Sequence, residues 1–218
     1  MDITQIIALT MGVAWASGIN LYAAILMLGW MNSTGNIDLP PDLQILSDPM
    51  VMVAAGFMYC VEFFADKVPG VDTGWDAIHT FIRIPAGAIL AAGAVGDIGT
   101  GAQLAAGIVG GTLATGSHIT KAGSRVLINT SPEPVTNWFA SVGEDVMVIL
   151  GLWTALYNPV LFLVLLALFI LLMIWLLPKL WRGMKKVFAY LGKLFGSDEA
   201  NDKTEESPTQ LSDMKPKE

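Results

Sequence analysis

His118, Lys121 and Arg125 fall at i, i+3 and i+7, a spacing that puts an imidazole, an ammonium and a guanidinium on one helical face. Such a face suits an anionic group, a carboxylate or a phosphate. The competing reading is that Lys121 and Arg125 mark the watery end of a helix and snorkel there, which fits Arg125 better than Lys121. Just upstream stands the small-residue word Ala114-Thr115-Gly116-Ser117, and a similar word, Ala16-Ser17-Gly18-Ile19-Asn20, followed by Tyr22, occurs in the first half. Ser17, Gly18, Asn20, Tyr22, Thr115, Gly116, Ser117, His118, Lys121 and Arg125 are therefore the expected substrate-binding set.

A second group is rich in carboxylates. Glu62 and Asp66 share a helix face; Asp72, Asp76, His79 and Arg83 follow, the last three at helical spacing; Glu133, Glu144 and Asp145 come later. These groups suit gating or proton coupling beside the basic face. The plainer reading is that carboxylates such as Glu144 and Asp145 sit at a helix N-terminus against its dipole. Two histidines with no close ligand partner give no metal spacing, and Cys60 stands alone, so no metal, cofactor or disulfide is expected. No Ser–His–acid set or phosphate loop stands out, and the chain reads as no enzyme.

The elements that position these groups follow from composition. The 218 residues are 54% hydrophobic and only 14% charged, with a mean hydropathy of +0.58. A soluble domain carries about 25% charged residues, so lipid replaces water around much of this surface. The 22 glycines fit helices that approach closely or break. Apolar runs lie at Ile3–Met31, Pro49–Ala65, Ile84–Gly96, Gln103–Ile128, Asp145–Leu156 and Pro159–Leu177. The last is long and uncharged, the first is interrupted at Ala16–Asn20, and the third and fifth are short enough to be re-entrant. The start, MDITQII, lacks the basic region of a signal peptide, so the first run is expected to stay in the membrane.

Orientation comes from Lys and Arg. The segment 179–193 holds Lys179, Arg182, Lys185, Lys186 and Lys193 without an acid, while Asn32–Asp48, Asp97–Ala102 and Tyr157–Asn158 contain no basic residue. The positive-inside rule then places both termini in the cytoplasm of a multi-pass protein of the bacterial inner membrane. Net charge is −7, and after Ser197 the chain is polar, acidic and almost free of apolar residues. The expected organisation is a membrane domain over 1–178, a basic amphipathic interfacial helix over 179–196 and a disordered acidic tail over 197–218. Nothing resembles a nucleic-acid footprint.

The two small-residue words are 98 residues apart, Gly18 to Gly116, and Val51-Met52-Val53 before Gly56 is echoed by Val146-Met147-Val148 before Gly151 at 95. The fold class expected is an all-α membrane protein of about six transmembrane or re-entrant helices. They form two inverted three-helix repeats, 1–96 and 97–178, each with a broken first helix. The alternative reading of the small-residue words is tight helix crossing.

Ala16-Ser17-Gly18-Ile19-Asn20-Leu21-Tyr22, with Lys121-Ala122-Gly123-Ser124-Arg125, Asn129-Thr130-Ser131-Pro132-Glu133-Pro134 and Asn137, resembles the bacterial membrane-protein family of unknown function numbered 4126. The likeness spans about three-quarters of the chain and implies a membrane domain without supplying a substrate. The functional expectation is a small transporter or flippase with a midplane site for an anionic or amphipathic molecule. The alternative is a scaffold or sensor that recruits a partner through its tail. Expected partners are the lipid bilayer, that small molecule and, as an option, a second copy of the chain in a homodimer.

Overall fold

The computed structural model describes residues 1–130 and 134–202, and among them the chain is helical with no strand. The helices are α1 (Ile3–Ser33), α2 (Pro49–Ala65), α3 (Val71–Val95), α4 (Thr100–Ile128), α5 (Pro134–Tyr157) and α6 (Pro159–Asp202). Tighter 3-10 turns occupy Pro41–Ser47 and Gly96–Ile98. Their starts are chemically marked. Asp2 caps α1 by accepting from Gln5 N at 2.7 Å while the Gln5 side chain takes Asp2 N, a reciprocal capping box. Asp48 caps α2, with Pro49 in the first turn. Gly70 and Gly99, at φ +87° and +132°, precede α3 and α4 where a side chain would be strained.

By length and composition alone four helices could cross a membrane: α1, if it ran straight, α3, Val135–Tyr157 of α5 and Pro159–Val187 of α6. A fifth joins them if the turn Pro41–Ser47 and α2, bent by 65°, count as one span. The chain therefore has the helices of a multi-pass membrane protein. α4 stays outside that set because glycine, threonine and its charged end dilute its hydropathy.

The path of α1 differs from expectation. Asn20 has φ −145° and ψ 96°, outside the helical region, and the contacts on either side of it reverse direction. On residues 3–19, Gly12 sits beside Ala155 and Leu152, Trp15 covers Gly151, and Asn20 meets Asp145, so this limb runs antiparallel to α5. On residues 21–33, Leu26 lies against Gly56 and Gly29 against Met52, antiparallel to α2, and Trp30 shares a groove with Trp153 near the far end of α5. Both ends of α1 then meet the same neighbours: Met1 and Ile6 line a depression with Pro40, Pro41 and Gly96, while Gly29 abuts Leu46 beside the Leu43–Gly93 contact. α1 is a helical hairpin whose tip is Asn20.

This hairpin corrects the six-crossing arrangement with inverted repeats. The first limb and α4 run parallel: Ala14 packs near Gly110, Ser117 bonds Trp15 O, and Lys121 bonds Ile19 O. α4 enters from the same end as the first limb, so the two halves are not inverted copies. The N-terminus and the α6 basic segment consequently lie at opposite ends of the bundle, which corrects the placement of both termini on one side. α4 is also unbroken at Gly116. Thr115 and Thr120 bond back to the Gly111 and Gly116 carbonyls within the helix, and neither opens it. The small residues serve packing instead. A Cβ on Gly18 would lie 1.9 Å from Ser117 Oγ and 2.3 Å from Ala114 O, and one on Gly116 would lie 2.6 Å from Met173 Sδ.

The core between the limbs and α5–α6 is apolar: Leu9, Val13, Ala16, Leu28, Val148, Leu152 and Phe162 are buried. α6 runs through the basic stretch as one helix that includes Pro178. Glu133 and the tail from residue 203 lie outside the described residues.

A candidate functional site at the hairpin tip

The reversal of α1 creates its own polar chemistry. With Asn20 non-helical, Ala23 N bonds the Asn20 side-chain oxygen at 2.9 Å, so Asn20 is the N-cap of the second limb. Ile19 O is thereby free of its usual partner four residues on, and Lys121 Nζ takes it at 3.2 Å. The other side-chain atom, Asn20 Nδ2, donates to Asp145 Oδ1 at 2.8 Å, and Tyr59 OH donates to Asp145 Oδ2 at 3.0 Å. The tip is thus held by α4 on one side and by α5 and α2 on the other.

From Lys121 an ionic network spreads through the bundle. Lys121 Nζ lies 2.9 Å from Asp66 Oδ2 and 3.2 Å from Glu62 Oε1. Arg83 joins Glu62 at 2.5 Å and Asp76 at 3.1 Å. Arg125 makes a two-pronged contact with Glu144, at 2.6 and 3.2 Å, and its third nitrogen bonds the carbonyls of Asp66 and Asn137. Arg83, Arg125 and Glu62 are fully buried, and Asp66, Asp76 and Lys121 nearly so. Four carboxylates here face three cations.

The expected basic face is real in position and different in consequence. His118, Lys121 and Arg125 do share a buried face of α4. The three N–H donors of Lys121 are taken by Ile19 O, Glu62 and Asp66, and Arg125 is committed to Glu144 and two carbonyls. Arg125 does not snorkel, since it is 0% exposed. Thr115 and Gly116 do not reach this network: the Thr115 hydroxyl bonds Gly111 O and Gly116 faces Met173 on α6. Ser17 donates to Arg83 O and Ser117 to Trp15 O, so both tie helix backbones together.

The histidines flank the network. His79 Nδ1 faces Trp75 O at 3.0 Å and so carries the proton in the neutral ring, leaving Nε2 to accept from Tyr22 OH at 3.1 Å. Thr80 spends its hydroxyl proton on Asp76 O, and His118 Nε2 then donates to Thr80 Oγ1 at 2.8 Å. Asp72, in the first turn of α3, accepts from Gly70 N and Thr73 N and, through its two oxygens, from Asn129 Nδ2 at 2.7 and 3.0 Å, while Asn137 donates to Asn129. Asp72 is therefore a strap between the ends of α3, α4 and α5. In the connection after α2, Lys67 bonds Phe63 O and Ser141 Oγ; burial pushes its ammonium below the usual lysine value, and the nearby Asp145 charge opposes that.

Tyr59, Thr80 and Ser141 were not singled out from sequence. Tyr59 had a readable signal, a phenol in the apolar α2 one turn before Glu62; Thr80 and Ser141 had none. Among the described residues no group of three or more His, Cys, Asp or Glu is placed to hold a metal ion.

No curated protein and no solved structure matches this chain. The family described as Domain of unknown function (DUF4126) matches over residues 7–179, a span that includes the hairpin tip and every member of the ionic network, and the chain belongs to that family.

Proposed function

We propose that this protein is a small transporter or flippase of the bacterial inner membrane, working on an amphipathic substrate and catalysing no covalent change. The observation that carries this reading is the hairpin of α1, whose tip at Asn20 ends among the buried charges of α2, α3, α4 and α5. Broken helices that end inside a membrane domain expose backbone groups and dipole ends where substrates and coupling ions bind. Stability alone gives no reason for such a network. A buried ion pair replaced by well-packed apolar residues is often neutral or stabilising by about 1–4 kcal/mol, so selection for function is the better account. The anionic branch of the expectation loses support because Lys121 and Arg125 have no donor left for a ligand. The amphipathic branch keeps it. The excess of carboxylates favours a proton as the coupling ion.

A second reading, a non-transporting scaffold, is favoured by one observation: the α1–α4 crossing at Gly18 and Ser117 is packed too closely to admit a side chain on Gly18. Reconstitution into liposomes separates the two. The transporter reading expects protein-dependent movement of cationic, zwitterionic or lipid-like amphiphiles, removed by Asn20→Leu in a protein that still folds. A correctly folded, reconstituted protein that moves none of them supports the scaffold.

A further inference from the structure

Beside the hairpin tip an apolar groove of about 470 Å³ opens between the second limb of α1, α2 and α5. Its walls are Met27, Met31 and Met52 with Trp30, Tyr59 and Trp153. Thioether side chains adapt to varied shapes, and aromatic faces attract cations. A carboxylate stands directly behind this lining, joined to it through Tyr59. Tyr59 lines the groove and hands its hydroxyl to Asp145, and Ile149, another wall residue, stands one turn along α5 from that carboxylate.

Asp145 differs from the four acids of the ionic network, Glu62, Asp66, Asp76 and Glu144. It is 8% exposed, it accepts from Asn20 and Tyr59, and it belongs to none of the ion pairs among the described residues. Lys67 lies close enough to feel its charge and is spent on Phe63 O and Ser141. Two neutral donors lower the cost of burying a carboxylate without cancelling its charge. A carboxylate without a counter-ion behind an aromatic and methionine groove calls for a positive charge on an apolar body.

We infer that the groove between α1, α2 and α5 binds a lipophilic cation, whose apolar body lies along Met27, Met52, Trp30 and Trp153 and whose charge is balanced by Asp145. This rests on the transporter reading and names its substrate class. The walls supply the burial energy; Asp145 supplies the choice of sign, because desolvated like charges repel and an anion of the same shape would face an unpaired carboxylate.

Equilibrium binding of tetraphenylphosphonium to the full chain in zwitterionic nanodiscs tests it, with the isosteric anion tetraphenylborate measured separately. Saturable binding of the cation is expected, with the anion at least about tenfold weaker, and Asp145→Asn should weaken the cation by about tenfold or more while leaving the anion no weaker. Ile149→Trp fills the groove from its open side and leaves Asp145 in place; it should also abolish binding, which keeps the test sound if Asp145→Asn does not fold. Equal binding of the two ions, or a cation affinity unchanged in both variants, overturns the assignment, as does no saturable binding at all. Because binding needs no flux, the two proposals fail separately. A protein that moves other amphiphiles without binding the cation loses only the substrate class. One that binds the cation and moves nothing loses the transporter reading and keeps the site.

Discussion

The ammonium of Lys121 donates to the main-chain oxygen of Ile19 at 3.2 Å, across 102 residues of sequence, at the point where α1 turns back. An α-helix leaves its last carbonyls without partners, and their dipoles concentrate negative charge there. Lys121 serves that end of the first limb while also facing Asp66 and Glu62, so one side chain joins the hairpin tip to the ionic network.

That double duty sets the outcome of Lys121→Met. The substitution keeps a straight apolar stem but leaves Glu62 and Asp66 short of a counter-charge and Ile19 O without a donor. Removing one partner of a buried pair costs about 3–5 kcal/mol. A large fall in thermal stability in detergent is expected, partly recovered by adding Glu62→Gln. Unchanged stability in the single variant would mean that the network is not formed as described.

The glycines divide into those that carry a crossing and those that do not. Gly18→Ala places a methyl against Ser117 Oγ and, at 2.3 Å, against the Ala114 carbonyl, which cannot retreat without moving α4. Overpacking of this kind costs about 1–3 kcal/mol or more. Gly56→Ala meets only Leu26 Cδ2 at 3.8 Å, and replacing helical glycine by alanine gains up to about 1 kcal/mol. Gly18→Ala should therefore lose stability and Gly56→Ala should hold or gain it, as read by thermal unfolding of the two purified variants side by side.

How much of this was legible depends on what apolar patterning can report. The helices, the interruption within Ala16–Asn20 and the common face of His118, Lys121 and Arg125 follow from spacing and composition. The reversal at Asn20 does not, since hydropathy measures how apolar a segment is and carries no direction. The resemblance of Ala-Ser-Gly to Ala-Thr-Gly suggested two equivalent breaks, yet only the first is followed by a residue, Asn20, able to cap a new helix. The basic face was visible while its neutralisation was hidden. Glu62, Asp66 and Glu144 reach Lys121 and Arg125 only through the packing of α2 and α5, at separations of 19 to 59 residues.

The hairpin makes a topological prediction. The N-terminus, Gly35, Gly99 and Asn158 should lie at one face of the membrane, with Gly70 and the basic end of α6 at the other. Single cysteines at these positions, in a chain with Cys60 replaced, can be labelled by a membrane-impermeant maleimide from one side of oriented vesicles. Labelling of an N-terminal cysteine together with one at Gly35 and Gly99, and protection of one at Gly70, is the expected pattern. An N-terminal site that labels with Gly70 would restore a crossing α1 and remove the hairpin.

Asn20 itself gives the most discriminating series. Its oxygen caps Ala23 N and its amide nitrogen meets Asp145, so the two functions can be separated by side chain. Asn20→Ser keeps a capping oxygen and gives up the amide donor to Asp145, whereas Asn20→Ala loses both. Loss of a cap costs about 0.5–2 kcal/mol, and an unsatisfied buried acceptor about 1–3 kcal/mol more. Asn20→Asp retains the cap but sets a second carboxylate where a donor stood 2.8 Å from Asp145 Oδ1, so it should rank below alanine at neutral pH. Acidification should rescue Asn20→Asp selectively, because protonating one of the two oxygens restores a donor between them. Thermal unfolding measured across mildly acidic to neutral pH reads the whole order: wild type, then serine, then alanine, then aspartate. An aspartate variant as stable as wild type at neutral pH would show that Asn20 and Asp145 do not meet at the tip.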